Sequence, residues 1–369
     1  MHASANERHA VTTTRAAVLR SFDQGFSLEE ITLADLRPDE VLVEIAGVGM
    51  CHTDLILRDP AMAAALAPVV LGHEGSGIVT AVGAAVSGVR TGDHVVLSFA
   101  SCGTCRECLL GAPAYCEEFT VRNVSGGYPD GSTGATDSAG GPVRNRWFGQ
   151  SSFARHAVAS ERDVVVVDPE LPLELLGPLG CGMQTGAGAV LNEMRLAPGQ
   201  SIAVFGAGAV GLAAVMAAKL AGARDIVVVD LLESRLDVAK ELGATRIVRG
   251  GDGDITAEVA GMDFSFETTA VEKVIGDAIA VLGRRGKAVL AGVGPGLLTV
   301  PPSKLAGRTV TYVLEGSAVP KVFIPRLIGF WRDGRFPFDR LIRTYPLAGI
   351  DAAEADSLSG ATIKPVLLP

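Results

Sequence analysis

The feature that most constrains the fold is a regular alternation of strand-like and helix-like segments between residues 201 and 293. The segments alternate in this order: SIAVFG, AVGLAAVMAAKLAGA, DIVVVD, ESRLDVAKELGA, RIV, DFSFET, VEKVIGDAIAVLG and KAVLAGV. Strands that alternate with helices of this length favour βαβ units and a parallel sheet. The pattern therefore predicts a doubly wound α/β domain, and we expect the strand-like RTVTYVL, just before residue 315, to end its sheet.

A glycine-rich turn joins the first strand of this alternation to its first helix. Gly206, Gly208 and Gly211 form G-A-G-A-V-G there. The first glycine permits a tight turn, the second a close approach to a pyrophosphate, and the third close packing of helix on strand. The helix N-terminus would then offer unpaired N–H groups to the phosphates. This context predicts a Rossmann dinucleotide-binding domain.

An acidic residue ends the next strand and indicates which dinucleotide is bound. Asp230 follows Gly206 by 24 residues, where a carboxylate can accept hydrogen bonds from the adenosine ribose hydroxyls. The alternative is that Asp230 only caps the next helix. Its charge would repel a 2′-phosphate, and Leu231 and Leu232 supply no positive charge. We therefore expect NAD(H) rather than NADP(H), although Arg235 could lie along the ribose.

The chain is long enough for more than one domain. Its 369 residues exceed the usual size of a single hydrophobic core. The first 180 residues or so are β-rich, and a helix and a strand-like tail follow residue 316. We predict a β-rich domain at 1–182, the Rossmann domain at 183–316, and a return to the first domain at 317–369.

Charge and hydropathy exclude several classes of partner. The net charge of −9 opposes nucleic-acid binding, which needs a basic face. The apolar run at 202–218 is only at the short limit of a membrane span, and glycines interrupt it. The N-terminal MHASANERHAVTTTR lacks the apolar core of a signal peptide, so we expect a cytoplasmic protein with reduced thiols.

Four of the six cysteines lie in one short segment. They have the spacing Cys102-x2-Cys105-x2-Cys108-x7-Cys116. Four thiolates with no open position are typical of a structural zinc site. A redox CxxC pair, disulfides and an iron–sulfur cluster are the alternatives, although the C-P end of a bacterial ferredoxin run is absent.

The other two cysteines stand beside further ligand types. Cys51 lies in MCHTD, His73 and Glu74 in LGHEGSG, and Cys181 in GPLGCGMQTG. A Cys/His/Cys set with a fourth position left open is typical of catalytic zinc. Spacing alone does not establish that such distant residues converge, and a lone cysteine like Cys181 is more often a small buried apolar residue.

Taken together, these motifs resemble one enzyme family. GHEGSGIVTAVG, the four-cysteine loop, the Cys-x-x-Asp at Cys51 and the later GAGAVG occur in the order found in zinc-dependent medium-chain alcohol dehydrogenases. The resemblance covers essentially the whole chain past about residue 14. Further stretches are more similar to the aryl-alcohol (benzyl-alcohol) dehydrogenases: DHVVLSFASCGTC, FGQSSFA, LLGPLGCGMQTGAGAVLN, FIPRLI and GRFPFDRLIRTYP. The family resemblance implies a GroES-like β-rich catalytic domain beside the Rossmann domain.

The resemblance also implies two zinc sites with different roles. Cys51, His73 and Cys181 would hold the catalytic zinc, with Glu74 behind it as a transient ligand. Asp54 would accept a hydrogen bond from His73 and fix its tautomer. The four-cysteine loop would be a structural lobe away from the chemistry.

The implied reaction is reversible oxidation of a primary aryl or allylic alcohol by NAD+, with zinc as Lewis acid. By resemblance, Thr53 takes the alcohol proton. Many relatives then use a histidine at the position of Ile56, which this chain lacks. His52 stands where relatives often have an arginine on the pyrophosphate. Our hypothesis is that His52 both contacts phosphate and aids proton exit, and the alternative is a phosphate contact only.

Further positions are implied by the resemblance. Thr185 and Val210 would contact the nicotinamide, and Lys364 would meet the pyrophosphate. Phe99 and Met50 would line the substrate pocket, with plain core packing as the alternative.

Other functions stay open at this stage. A thiol-dependent formaldehyde dehydrogenase or a terpenoid-alcohol dehydrogenase of the same family would share both zinc sites. A zinc-free quinone or enoyl reductase lacks the ligands that Cys51, His73 and Cys181 supply. A zinc-ribbon binding module is opposed by the acidic charge and the embedded cysteine loop.

The resemblance also implies an oligomer. The strand RTVTYVL would pair with the same strand of a second subunit to form a homodimer, and two dimers could form a homotetramer.

Overall fold

The computed structural model describes residues 12–251 and 253–369. The first eleven residues of the predicted 1–182 domain, and most of the N-terminal segment used to predict the cellular location, lie outside the described residues. Within the described part, no helix is both long enough and apolar enough to cross a membrane.

Strands and helices alternate over most of the described chain. In chain order the strands are β1 (Thr13–Leu19), β2 (Ser27–Leu33), β3 (Glu40–Gly49), β4 (Val69–Val70), β5 (Glu74–Val82), β6 (His94–Leu97), β7 (Gly134–Asp137), β8 (Pro142–Arg144), β9 (His156–Ser160), β10 (Val164–Val167), β11 (Ser201–Phe205), β12 (Asp225–Asp230), β13 (Arg246–Arg249), β14 (Met262–Glu267), β15 (Leu282–Leu290), β16 (Thr309–Tyr312), β17 (Ile342–Pro346) and β18 (Lys364–Leu368). The α-helices are α1 (His52–Leu55), α2 (Pro60–Leu66), α3 (Arg106–Leu109), α4 (Phe119–Asn123), α5 (Gly182–Gly188), α6 (Ala209–Leu220), α7 (Glu233–Leu242), α8 (Ile255–Glu258), α9 (Glu272–Ala280), α10 (Pro320–Arg332) and α11 (Ile350–Ser359).

The middle of the chain forms the predicted doubly wound domain. Six strands pair in parallel in the order β13-β12-β11-β14-β15-β16, which is the arrangement of a Rossmann sheet. Strand β11 is buried at every position, as expected for a central parallel strand covered on both faces. Helix α6 is buried from Gly211 to Ala218 and carries almost no polar side chain. The prediction of a Rossmann domain is confirmed.

The largest boundary difference lies at the fourth helix of this domain. The sequence pattern extends a helix through VEKVIGDAIAVLG, but α9 ends at Ala280 and β15 begins at Leu282. Leu282 already pairs with Met262, and a register irregularity follows between β14 and β15. Arg285 has a φ of 66° within this irregular part of β15. Strand pairing therefore ends the helix earlier than side-chain periodicity predicts.

The remaining strands form a closed barrel and a second sheet. The barrel has the order β1-β2-β7-β8-β4, and the sheet has the order β10-β6-β5-β3-β18-β17 with β9 also paired to β3. The last two strands thus return to the first domain after the Rossmann sheet is complete. Strand β18 pairs with β3 through Val366 opposite Gly49 and Leu367 opposite Val48. This pairing places Lys364 beside the end of β3.

The backbone of helix α5 lies very close to the backbones of two other segments, α6 and the residues around Gly316. A Cβ at Gly186 would overlap the carbonyl oxygen of Val210 in α6, and one at Gly188 would overlap the carbonyl oxygen of Gly316. Only glycine permits backbones to approach this closely. The helix that begins after Cys181 is therefore held against both the Rossmann domain and the segment that leaves it.

Candidate active site

Three structural elements bring the predicted metal ligands together. Cys51 precedes α1 just after β3, His73 and Glu74 lie at the start of β5, and Cys181 precedes α5. One potential ligand atom from each of these four residues lies within 4.8 Å of all the others. The fold thus assembles residues that are 130 positions apart in sequence, from Cys51 to Cys181.

The imidazole of His73 is oriented as a metal ligand should be. Its Nδ1 lies 2.7 Å from Asp54 Oδ1, and both side chains are fully buried. An ionised carboxylate can only accept, so Nδ1–H donates and Nε2 keeps a free lone pair. His73 Nε2 is buried and has no hydrogen-bond partner among the described residues. A buried polar atom without a partner is costly, and a zinc ion here would remove that cost.

The thiols of Cys51 and Cys181 shift each other's pKa values. Hydrogen bonding from Cys181 lowers the pKa of Cys51 well below its ordinary value, with further help from His73 and the charge of Lys364. The pKa of Cys181 rises well above its ordinary value because it shares a proton with Cys51 and is buried. Burial lowers the pKa of His73, but Asp54 and Cys51 outweigh it and leave that pKa raised. The neighbours of Cys51 therefore favour its deprotonated form.

Lys364 lies beside the proposed metal ligands and contacts Glu74, a neighbour that the sequence did not predict for it. Its Nζ lies 3.0 and 2.9 Å from the two carboxylate oxygens of Glu74 and 3.1 Å from Met50 O. Both side chains are buried, with Lys364 only 2% exposed. The ammonium pairs with Glu74 in this structure, and a pyrophosphate contact by Lys364 stays a prediction. The pairing of β18 with β3 carries Lys364 into the site.

Glu74 is held by this lysine and by the start of α5. Gly182 N donates to Glu74 Oε1 at 3.0 Å. Burial raises the pKa of Glu74, while the charge of Lys364 opposes that rise. For Lys364 burial acts in the opposite direction and lowers the pKa. The carboxylate of Glu74 outweighs this effect, so the pKa of Lys364 lies above its ordinary value. The pair is a buried ion pair directly behind the Cys/His/Cys set.

Glu315 and Gln184 also lie near Cys181, although the sequence did not predict them there. Glu315 Oε1 lies 3.8 Å from Cys181 Sγ, and Glu315 Oε2 accepts from Gln184 Nε2 at 3.2 Å. Burial raises the pKa of Glu315 to about 7. No local pattern marks Glu315, because it reaches the site only through the crossover after β16. Gln184 lies in the GCGMQTG segment already singled out for Cys181 and could have been noted there.

Trp147 and Phe148 were also missed as neighbours of the site. Trp147 Nε1 donates to Asp54 Oδ1 at 3.0 Å. The ring of Phe148 stacks on His73 with centroids 4.5 Å apart. The motif FGQSSFA, which starts at Phe148, was the available signal, but it served only as a mark of resemblance.

The predicted substrate-pocket residues lie in the apolar core beside the ligands. Met50 and Phe99 are 2% and 3% exposed and belong to one buried cluster with the barrel strands. Phe99 packs on Phe119, with ring centroids 6.0 Å apart. Core packing, the alternative weighed for both residues, is the role that these contacts describe. Lining of a substrate pocket stays a prediction.

The four-cysteine loop has the geometry of a tetrahedral thiolate site. Cys102 and Cys108 sulfurs lie 3.9 Å apart, and Cys105 and Cys116 sulfurs 4.0 Å apart. Zn–S bonds of about 2.3 Å in a tetrahedron separate sulfur atoms by about 3.8 Å. The Cys102 sulfur also accepts the backbone N–H of Cys105 at 3.2 Å. All six cysteines are free thiols, so the disulfide alternative is not supported.

The glycine-rich turn has three glycines with three different environments. Gly206 has a φ of 96°, in the left-handed region that favours glycine. A Cβ at Gly211 would overlap the carbonyl oxygen of Gly206, so helix and strand touch there. A Cβ at Gly208 would meet nothing within 4 Å. The middle glycine thus leaves an open approach to the N-terminus of α6, as a phosphate site requires.

Asp230 anchors this turn and also holds the backbone just before the next helix. Its Oδ2 accepts from Ala207 N at 2.6 Å, and its Oδ1 accepts from Leu232 N at 2.9 Å. The N-cap of α7 is Leu232, so the Asp230 bond to Leu232 N lies just before the helix and is not a helix cap. Arg235 lies in α7, and its Nε is buried without a hydrogen-bond partner among the described residues.

The remaining predicted residues are distributed around these centres. His52 is exposed at the first position of α1, and Thr53 Oγ1 lies 3.7 Å from Cys51 Sγ. Thr185 in α5 and Val210 in the first turn of α6 are both half-buried. These two are close in space because Gly186 contacts Val210.

Comparison with known proteins assigns both parts of the chain. Residues 37–169 match the alcohol dehydrogenase GroES-like domain, and residues 209–327 match the zinc-binding dehydrogenase model. The GroES-like part of the predicted fold is thereby confirmed. The predicted domain boundaries at 182 and 316 stay predictions.

Individual relatives match over nearly their full length. A geraniol dehydrogenase of Castellaniella defragrans is 43% identical over 98% of this chain and 100% of its own. The crystal structure of an alcohol dehydrogenase zinc-binding domain protein from Burkholderia ambifaria is 46% identical, with a TM-score of 0.93 over 98% of this chain and 100% of that one. The crystal structure of benzyl alcohol dehydrogenase from Acinetobacter calcoaceticus is 42% identical, with a TM-score of 0.91 over 97% and 99%.

Proposed function

The chain belongs to the zinc-binding alcohol dehydrogenases with a GroES-like domain, and we propose that it oxidises a primary aryl or allylic alcohol to the aldehyde. NAD+ is the proposed hydride acceptor, and the reaction is reversible. One observation carries the proposal: Cys51, His73 and Cys181 converge around a buried His73 Nε2 that has no hydrogen-bond partner among the described residues.

Different residues of the chain would bind the metal, orient its ligands and bind the dinucleotide in such a reaction. Zinc bound by Cys51, His73 and Cys181 would act as a Lewis acid on the alcohol oxygen. Asp54 holds the His73 ring, and Lys364 balances the charge of Glu74. The turn from Gly206 to Gly211 and the carboxylate of Asp230 would bind the dinucleotide. The four-cysteine loop would hold a second zinc that stabilises the fold. We expect two zinc ions per subunit, one for each donor set.

The proton of the alcohol needs a route out of a buried site. Thr53 Oγ1 stands beside Cys51, and His52 is exposed one residue earlier. We propose that Thr53 accepts the proton and that His52 contacts phosphate and helps release the proton. The pH profile of NAD-dependent oxidation should change in His52→Gln. An unchanged profile with weaker NAD+ binding would leave His52 with the phosphate contact alone.

The substrate class is supported by two relatives. One is named a geraniol dehydrogenase, an enzyme of an allylic terpenoid alcohol, and another a benzyl alcohol dehydrogenase. NADH formation should be measured with benzyl, cinnamyl, geranyl and short aliphatic alcohols. We expect the highest kcat/KM for an aryl or allylic alcohol, and preference for ethanol would overturn this assignment. Formaldehyde with and without a low-molecular-weight thiol tests the formaldehyde dehydrogenase alternative in the same panel.

The remaining expectations accompany this function. NAD(H) over NADP(H) follows from the carboxylate of Asp230, since a 2′-phosphate would be repelled there. A homodimer through the edge strand β16 and a cytoplasmic location stay predictions.

A further inference from the structure

The segment at residues 147–152, WFGQSS, adopts a strained turn beside the proposed metal site. Phe148 has φ 50° and ψ 36°, and Ser151 has a φ of 51°. Left-handed backbone is costly for residues other than glycine and persists only where the surroundings enforce it. The Ser151 hydroxyl accepts from Trp147 N at 2.8 Å and donates to Val70 O at 2.7 Å. These two bonds hold the turn in place.

The strained turn directs two consecutive aromatic side chains onto one histidine–aspartate pair. The ring of Phe148 stacks on the His73 imidazole, with centroids 4.5 Å apart and an interplanar angle of 27°. Trp147 reaches behind the same histidine, and its Nε1 donates to Asp54 Oδ1 at 3.0 Å. Phe148 thus packs against one face of the imidazole, and Trp147 holds the Asp54 carboxylate that orients the ring.

A third side chain of the segment holds the backbone of the ligand. Gln150 Nε2 donates to His73 O at 2.9 Å, and its Oε1 accepts from Gly75 N at 3.0 Å. Gln150 is completely buried. The main chain on both sides of Glu74 is therefore fixed by the same segment that contacts the His73 ring.

Asp54 accepts hydrogen bonds from two side chains and two backbone N–H groups. Its Oδ1 accepts from His73 Nδ1, Trp147 Nε1 and Gly72 N, and its Oδ2 accepts from Cys51 N. No lysine or arginine is among the hydrogen-bond partners of Asp54 in the described part of the chain. Besides His73, the indole of Trp147 is the one side chain among the described residues that donates a hydrogen bond to this buried carboxylate.

We propose that residues 147–152 form a clamp that positions His73 for zinc, with Trp147 acting through Asp54 as its positioning residue. This inference rests on the proposed function, because it assumes that zinc binds at Cys51, His73 and Cys181. Groups that orient a ligating histidine usually change metal affinity 10- to 100-fold when removed. Trp147 acts one bond further away, so loss of its N–H should speed zinc release by about tenfold, at the low end of that range.

The chain contains a matched control for this test. Trp331, the only other tryptophan, also donates from Nε1 to an aspartate, at 2.9 Å from Asp339 Oδ1. Trp147→Phe and Trp331→Phe therefore remove the same kind of bond at different places. Zinc release to a coloured chelator should be followed for both variants and the parent protein, with kcat and KM for NAD+ measured in parallel.

The expected result separates positioning from general loss of stability. In Trp147→Phe, one zinc per subunit should leave about tenfold faster, and the other should leave at the parental rate. Its kcat should fall while the KM for NAD+ stays unchanged. Trp331→Phe should match the parent protein in both measurements.

The opposite results are equally clear. If the parent protein holds zinc at both donor sets and Trp147→Phe releases both ions at the parental rates, the clamp is overturned and the proposed function stands. If the parent protein binds no zinc at the Cys51 set, the proposed function fails, and the clamp fails with it. Should Trp147→Phe not fold, Ser151→Ala removes the anchor of Trp147 instead, and parental zinc release from that variant overturns the clamp.

Discussion

The four-cysteine loop takes its donor atoms from fifteen consecutive residues, whereas Cys51, His73 and Cys181 come from separate elements spread over 130 positions. In the loop, backbone N–H groups of the same loop contact the sulfurs. Around His73, the supporting groups come from several distant segments, including β18 and residues 147–152. The loop can thus form locally, but the second donor set exists only when the whole fold has formed.

This difference predicts opposite consequences when one ligand is lost. A ligand of the dispersed set sits in a frame that hydrogen bonds and packing already hold. A ligand of the loop sits in a segment with little other support, because three of its four cysteines are only half-buried. Loss of the first should affect chemistry before stability, and loss of the second should affect stability before chemistry.

The largest effect is expected for Cys181→Ser. Removing a thiolate from the dispersed set should disable Lewis-acid catalysis, which supplies several kcal/mol, so kcat should fall about a thousandfold. The thermal midpoint of the chain should change by only a few degrees, because one buried sulfur is replaced by an atom of similar position. NADH formation and thermal unfolding measure the two parts. A kcat within tenfold of the parent would contradict the assignment of this set to the chemistry.

Cys105→Ser tests the other side of the comparison. Structural zinc sites contribute directly to folding free energy, so loss of this ligand should cost about 4 kcal/mol, the size typical of losing a metal site. For a chain of this size the unfolding midpoint should fall by about 5 °C. The kcat of the folded fraction at low temperature should remain near parental. A large loss of kcat with an unchanged midpoint would reverse the roles of the two donor sets.

Lys364→Met tests how strongly the frame around the dispersed set depends on charge balance. Removal of one partner of a buried ion pair typically costs 3–5 kcal/mol. Burial already raises the pKa of Glu74, and loss of Lys364 should raise it further. A group with a raised folded-state pKa is favoured in its protonated form, so the deficit should be full near neutral pH and shrink as the pH falls towards the unfolded value.

Urea unfolding at pH 5 and pH 8 measures this deficit. The double variant Lys364→Met with Glu74→Gln is the control, because a neutral amide needs no cation. We expect the double variant to be more stable than Lys364→Met alone at pH 8. Equal stability of the two variants would show that Glu74 does not need the lysine.

The last prediction concerns a carboxyl group beside the loop and is a change of stability with pH rather than a loss of function. Asp163 accepts from Ser101 N at 3.3 Å, and burial raises its pKa to about 7. Below about pH 4 the group is protonated in both the folded and unfolded chain. Between about pH 4 and 7 the unfolded chain loses this proton first, which destabilises the folded state by up to about 1.4 kcal/mol per pH unit.

Asp163→Asn should remove this pH dependence. The amide stays neutral, so the unfolding free energy of the variant relative to the parent should increase as the pH rises from 4 to 7. Urea titrations of the variant and the parent protein at several pH values measure the difference. A difference that does not change with pH would mean that Asp163 is ionised throughout this range.

The predictability of each region from sequence follows from the same contrast. The loop was identifiable because its spacing is local, and the Rossmann domain because strand, turn and helix follow one another. The convergence of Cys51, His73 and Cys181 needed a family resemblance. The contact of Lys364 with Glu74 was not predictable, since it depends on which strand β18 joins. The role of Trp147 was hidden for the same reason, because its partner Asp54 is 93 residues away.

The close approach of α5 to two other backbones has a consequence for building chimeras. Gly186 and Gly188 fit against carbonyl groups of Val210 and Gly316, where any Cβ would collide. A cut between residues 188 and 209 would join a foreign α6 to a native α5, whereas the predicted boundaries at 182 and 316 keep Gly186, Gly188, Val210 and Gly316 in one piece. Hybrid enzymes that exchange the dinucleotide-binding part should therefore keep α5, the first turn of α6 and the segment around Gly316 from one parent. These three pieces are inherited as a unit, although they are far apart in the gene.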